Sequence, residues 1–363
     1  CLLSLSSKRT MMDGYSIASR RILRLALGTA LAIGVSQGVD WPISFITPII
    51  TGLLLSLPLP PPSPKLAFKF LVFLAGTMLC SFLLLPYLYY APTAGIILVA
   101  LALFGSFLIT AMGGTALIGT VMTIALTLLT TVGSVSIDML VNLAKGLTWS
   151  AFTGFVFVWV SHALLPDGPV QSSPADGKAE KPVPSEPDSK TAIRSAFRAL
   201  VIVFPVMLVF LFLSTSSAYT IIMIKIATMG QQATTCKSRA LGSELMASTF
   251  WGGLGAFIAW LAIKAYPSLF LYIFIIALAA LLYGRGIFRE GGMHPKAAMW
   301  QYAFITLIIV LAPTVGSMAT GQSAPDKFLL RLVYFIIIAG YSWLAVTVFD
   351  GFWKSRPARA LEA

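Results

Sequence analysis

Apolar residues fall in twelve runs, over about 22–39, 42–58, 66–86, 93–110, 115–134, 140–164, 195–214, 218–234, 244–265, 268–284, 298–316 and 328–350. Each run approaches the ~20 residues that a helix needs to cross a bilayer. None alternates apolar and polar residues with the period of two that a barrel strand shows. Lipid offers no partner to an open strand edge, so runs of this kind predict helices. The longest polar interruption is 166–192, PDGPVQSSPADGKAEKPVPSEPDSKTA, where Pro, Ser, Asp and Glu dominate. No apolar period survives there, which predicts a flexible linker. The pattern divides the chain into a segment 1–21, a six-helix unit 22–165, the linker 166–192, a second six-helix unit 193–350 and a tail 351–363.

The two units repeat one another. SRRILRLALGTALAI opens the first and IRSAFRALVIVFPVM the second. A tight turn into the second run is built on Asp40-Trp41-Pro42 in one and Ser217-Ala218-Tyr219 in the other. Gly52 and Gly230 then fall at matching places, and Pro92 and Pro267 mark the start of each fourth run. Thr131-Val132-Gly133-Ser134 and Thr314-Val315-Gly316-Ser317 close the fifth runs, followed by Asp138 and Asp326. An even number of spans gives both units the same orientation, so a pseudo-two-fold axis along the membrane normal is expected, as in parallel-repeat transporters. The expected fold is an all-α polytopic membrane protein of about 12 transmembrane helices, arranged as two parallel six-helix repeats.

Composition sharpens this picture. The chain is 58% hydrophobic and 10% charged, with a mean hydropathy of +0.88. Soluble domains carry roughly 25% charged residues. A secreted domain, a cytosolic enzyme and a nucleic-acid-binding module are excluded, despite the net charge of +12. Twenty of the 25 Lys and Arg fall on one side of the twelve-span topology: beside the first run (Lys8 to Arg24), in the 2–3, 8–9 and 10–11 loops, around the linker and in the tail. The positive-inside rule puts that side, and both termini, in the cytoplasm. The charge then reads as topology and attraction to anionic lipid, not as a nucleic-acid footprint. Cys1, Cys80 and Cys236 suggest no disulfide framework. Cys1 in first place, with Met11 and Met12 soon after, points to a fragment or a misplaced start.

Lys225 is the residue that topology does not explain, about eight residues into the eighth run. A charge near mid-bilayer costs roughly 2.5–3.5 kcal/mol on insertion scales, so it should face protein or water. It is a candidate cationic site for an organic anion; the competing reading is a lysine that snorkels or pairs with a neighbouring acid. Its repeat position carries Thr47 beside Pro48, a hydroxyl on a helix whose proline would free a carbonyl towards the pathway. Gln231 and Gln232 follow Gly230 and could line an entrance, or simply end the helix. Asp138, Asn142 and Lys145 are spaced four and three apart, so they can share one helix face as an exit-side track or pair locally. Asp40 and Glu244 are candidate proton carriers. Their plain readings are an N-cap of the helix after Trp41-Pro42 and an acid in a first helical turn. No Cys, His, Asp and Glu cluster has metal-ligand spacing and no Walker A motif occurs, so neither a metal, a cofactor nor an enzymatic activity is expected.

With two six-span halves, basic residues opening each, a tight first hairpin and the Thr-Val-Gly-Ser repeat, residues 20–355 resemble the fusaric acid resistance and aromatic acid exporter superfamily, in a short bacterial form without the large cytoplasmic domain. The resemblance implies a multi-pass efflux permease of the bacterial inner membrane, exporting aromatic acids and related toxic compounds on the proton gradient. It also implies a periplasmic adaptor of the membrane-fusion type and a homo-oligomer. Plant relatives conduct malate, so a passive organic-anion channel is the alternative; a non-transporting membrane scaffold is the third reading.

Overall fold

The structure is a computed structural model that describes residues 2–114, 116–166, 189–212, 217–235, 241–289, 292–319 and 324–354. Among these residues the apolar runs form twelve helices: α1 (Leu2–Val39), α2 (Ile46–Leu55), α3 (Pro64–Tyr90), α4 (Pro92–Ala111), α5 (Ala116–Gly133), α6 (Ile137–Leu164), α7 (Ser189–Phe212), α8 (Ser217–Thr235), α9 (Leu241–Ala265), α10 (Leu269–Ile287), α11 (Ala297–Ala319) and α12 (Ala324–Lys354). Their starts follow from local chemistry. The hydroxyls of Ser63, Ser136 and Ser268 accept the N–H groups of Leu66, Met139 and Leu271 at 3.2, 3.3 and 3.1 Å, satisfying donors that a helix start leaves open. Pro64 and Pro92 occupy first-turn positions, where a missing N–H costs nothing.

Eight of the helices are long and apolar enough to cross a membrane: α1 over Ile17–Val39, and α3, α4, α6, α7, α9, α10 and α12. Only 28–44% of their most apolar stretches is buried. The remainder presents Phe68, Leu79, Ile97, Phe250 and Ile336 outward. An apolar surface this extensive belongs against acyl chains. The chain is an all-α, multi-pass membrane protein.

The other four helices, α2, α5, α8 and α11, lie inside. Nine of the ten residues of α2 are buried, and so are residues 222–234 of α8 and 302–312 of α11. In α5 every residue from Gly119 to Gly133 except Met122 is buried. α5 packs against α8, and α11 against α2. The outer helices close around them: α1 on α2, α6 and α10; α7 on α8, α12 and α4; α3 on α5; α9 on α11.

Several boundaries differ from those the sequence suggests. α1 is already helical from Leu2, so 1–21 is mostly helix rather than a separate segment. α7 starts at Ser189, which takes the end of the 166–192 linker into a helix; residues 167–188 lie outside the described residues. α12 runs on to Lys354, and the rest of the 351–363 tail, like Cys1 and Cys236, also lies outside them. α2 starts at Ile46, not near 42, and Asp40 is not its N-cap. Asp40 ends α1 instead, with φ 55° and its N–H on the Ser36 carbonyl at 3.1 Å. Short side chains such as Asp tolerate this left-handed conformation. A two-stranded antiparallel ribbon, β1 (Phe288–Arg289) and β2 (Gly292–Met293), follows α10.

Candidate functional site

The inner helices hold nearly all their polarity in one chemical class. Thr47 and Thr51 on α2, Thr120, Thr123, Thr127, Thr130 and Thr131 on α5, Thr228 on α8 and Thr306 on α11 are all buried. A threonine hydroxyl can bond the carbonyl of the preceding turn, which lets it sit inside a helix bundle without a distant partner. Thr123, Thr127, Thr51 and Thr306 donate to the carbonyls of Gly119, Thr123, Thr47 and Tyr302 at 2.8, 2.8, 2.9 and 2.7 Å. Thr130 and Thr131 donate in the same way to Leu126 and Thr127.

Lys225 breaks this pattern. Its side chain is 1% exposed, and its Nζ donates to Thr306 Oγ1 on α11 at 2.6 Å. No carboxylate among the described residues pairs with it. The sequences of α2, α5, α8 and α11 contain no Asp or Glu at all, and Lys225 is their only charged residue. A buried ammonium whose one partner among the described residues is a hydroxyl is costly, because the hydroxyl supplies a dipole and not a countercharge. The lysine does not reach the surface, and it joins no ion pair among the described residues.

Two turns further along α8, Gln231 is fully buried and its Nε2 donates to Thr123 Oγ1 on α5 at 2.7 Å. Thr123 also shares a hydrogen bond with Ser106 of α4 at 3.0 Å. The close approach depends on Gly119: a Cβ there would stand 2.8 Å from Gln231 Oε1 and overlap the Thr110 hydroxyl. Gln232, also fully buried, accepts from Ser248 of α9 at 3.4 Å. α8 thus reaches α5, α9 and α11 through three polar side chains.

Thr47 and Pro48 go elsewhere. Thr47 Oγ1 lies 3.2 Å from Thr153 Oγ1 of α6 and so turns to α6, not to Lys225. Pro48 is buried in the first turn of α2, and the carbonyl that its missing N–H would have bonded, that of Ser44, is taken by the Thr47 N–H at 3.2 Å. It frees no carbonyl, because a proline this close to a helix start removes a donor that had no partner.

The first hairpin joins outer α1 to inner α2 against the side of α6, where a Cβ on Gly146 would overlap the Pro42 carbonyl. The polar groups of this connection are bonded within the protein. Ser44 and Ile46 N–H groups bond the Trp41 and Ile43 carbonyls at 3.0 Å each. Trp41 Nε1 donates to Ser150 Oγ of α6 at 3.0 Å, and Ser150 Oγ donates to the Ile43 carbonyl at 3.4 Å. Asp40 is exposed beside this connection. Asp138, Asn142 and Lys145 are exposed on α6 in one row, which continues one turn on to Trp149, packed edge-on against Trp41 at 6.3 Å. Glu244 sits half-buried in the first turn of α9. None of these lies beside Lys225. Asp326 lies in α12, where its side chain is outside the described ones.

Sequence reading missed Thr306 and the α5 hydroxyl row. The row had a signal: Thr120, Thr123, Thr127 and Thr130 are spaced three, four and three, one face of a helix. Thr306 had none, being a single hydroxyl in an aliphatic run.

The family described as Protein of unknown function (DUF2955) matches residues 21–160, the first six-helix unit. No curated protein and no solved structure matches the chain.

Proposed function

We propose that the chain is an efflux permease for hydrophobic or aromatic organic acids in the bacterial inner membrane, powered by the proton gradient. The observation that carries this reading is Lys225: one buried cation in four otherwise uncharged inner helices, held among the described residues by a single hydroxyl. A carboxylate would supply the missing countercharge, and the surrounding apolar side chains would take a ring.

In this proposal the twelve helices are arranged in the membrane as two parallel six-helix repeats, with both termini cytoplasmic. Paired packing supports the repeat. Shifting each partner by six helices turns α1 on α10 into α7 on α4, α3 on α5 into α9 on α11, and α5 on α8 into α11 on α2, and all six pairs occur. The resemblance to the aromatic acid exporters adds a periplasmic adaptor and a homo-oligomer as partners. No catalytic residue, metal or cofactor is assigned.

A deletion strain challenged with a panel of aromatic acids tests the reading. Expression of the chain should restore resistance, and Lys225→Met should abolish it while the protein stays in the membrane. Unchanged efflux in that variant would sink the site assignment. Flux in liposomes separates an exporter, with slow saturable turnover, from a channel, with high uncoupled conductance.

A further inference from the structure

We infer that Arg331 of α12 is a second anion-binding residue of the Lys225 site, and that one carboxylate is held between its guanidinium and the ammonium. This rests on the permease reading and deepens it.

Arg331 lies inside the Phe328–Phe349 span of α12 and is 5% exposed. It belongs to one buried stripe of that helix, with Phe328, Phe335, Ile338, Ser342 and Val346, spaced three or four apart. Two contacts show what the stripe faces. The Phe328 ring stacks on Trp260 of α9 at 4.8 Å, and Ser342 Oγ lies 3.9 Å from Met229 Sδ on α8, one turn from Lys225. Arg331 is therefore turned towards α8 and α9, not towards lipid.

Its height follows from two consecutive glycines of α9. A Cβ on Gly252 would stand 2.6 Å from Thr306 Cβ, and one on Gly253 would stand 3.0 Å from Leu332 Cδ1. Thr306 accepts from the Lys225 ammonium at 2.6 Å, and Leu332 is next to Arg331. Neighbouring helix residues differ by only about 1.5 Å in height, so the ammonium and Arg331 lie within about one turn of each other.

Two cations in one dry layer repel, because little solvent screens them. α8 and α11 have no acid to set against them, and the one acid of α9, Glu244, is in its first turn, about two turns from Gly252. A carboxylate ligand brings two oxygens. One can accept from the ammonium and the other from the guanidinium fork, with charge-assisted bonds on both sides.

The test uses the full chain in detergent, with radiolabelled 4-hydroxybenzoate as the probe. Unlabelled 4-hydroxybenzoate should compete, and its methyl ester, which keeps the ring and loses the charge, should not; equal competition by the ester overturns the inference. Arg331→Gln and Lys225→Gln should each weaken binding roughly tenfold or more. The double variant should lose less than the product of the two losses, because both residues serve one carboxylate. Wild-type affinity in an Arg331→Gln protein that elutes normally on size exclusion, or losses that simply multiply, overturns the inference and leaves the permease standing. Absence of binding by the wild type overturns both.

Charge reversal probes the same contact without ligand. Arg331→Glu would put a carboxylate where the ligand's belongs. It should melt above Arg331→Gln, and above Arg331→Glu combined with Lys225→Gln; the second comparison decides alone if Arg331→Gln does not fold. A guanidinium tied within its own helix gives no such coupling. Arg331→Glu melting no higher with Lys225 than without it would place the two charges apart and overturn the inference.

Discussion

Lys225 and Thr306 form a couple in which the hydroxyl is the ammonium's one hydrogen-bond acceptor among the described residues. A hydrogen bond to a charged group contributes about 1.5–3 kcal/mol, and its loss leaves a buried charge bare. Thr306→Val keeps the shape and removes the acceptor, so it should lower stability by about that amount, measured by thermal denaturation in detergent, while Thr306→Ser should stay near wild type. Added 4-hydroxybenzoate should raise the melting temperature of Thr306→Val more than that of wild type, because the anion then supplies the only partner. A valine variant as stable as wild type would show that Lys225 is solvated by something else. Asp40 separates a structural role from a coupling role. Its φ of 55° lies where glycine rests without strain. Asp40→Gly should therefore leave efflux unchanged and raise stability by up to ~1 kcal/mol; loss of efflux in a well-folded Asp40→Gly protein would restore Asp40 as a proton carrier. Half of this was legible in the sequence. A lysine inside an apolar run announces itself, whereas a single threonine among aliphatic residues looks the same whether it faces lipid or an ammonium 81 positions away. Pro48 is a related case: its effect depends on where the helix starts, and residues 42–45, which belong to the apolar run, are turn instead.

Among the elements, α8 and α5 make the contact on which the polar interior depends. Gly119 permits it. Gly119→Val would drive a branched side chain into the Thr110 hydroxyl and the Gln231 amide, and overpacking of this kind costs typically 1–3 kcal/mol. Gly105 on α4 is the control, since a Cβ there meets nothing within 4 Å. Gly105→Val should melt at or near the wild-type temperature and Gly119→Val clearly below it; equal melting of the two would mean that α5 and α8 are not this close. The helices themselves were readable because each apolar run is bounded by Ser, Pro, Gly or charge. The division into eight outer and four inner helices was not. Apolarity does not sort the runs, since inner α2 is among the most apolar and inner α8 among the least, and what marks α5 and α8 is their polar residues: hydroxyls every three or four positions on α5, amides and an ammonium on α8. The anchor of the α1–α2 turn was equally hidden, since Ser150, which holds it in place, is more than a hundred residues away.

For the whole molecule, the proposed repeat predicts that the chain can be divided. The linker joins two units whose own interiors are incomplete. Without the second unit, the α5 hydroxyl row loses the α8 amide that meets it, and without the first, Gln231 loses Thr123. Neither unit should be stable alone, because polar side chains would then face lipid, where a lysine alone costs roughly 2.5–3.5 kcal/mol. Together they should assemble, since α1 on α10, α4 on α7, α5 on α8 and α2 on α11 all cross between the units. Separate expression of 1–178 and 179–363 should give little protein in the membrane; co-expression should give both, co-purifying through a tag on either one. Cutting the linker removes only a high effective concentration, which two-dimensional confinement and a large interface can replace, so efflux of aromatic acids should persist within severalfold of the intact chain. A single half that accumulates and exports on its own would mean that the pathway lies within one unit, and Lys225 would then act without α5. Halves that accumulate separately but never associate would break the paired arrangement instead, and with it the reason for placing a binding site between the two.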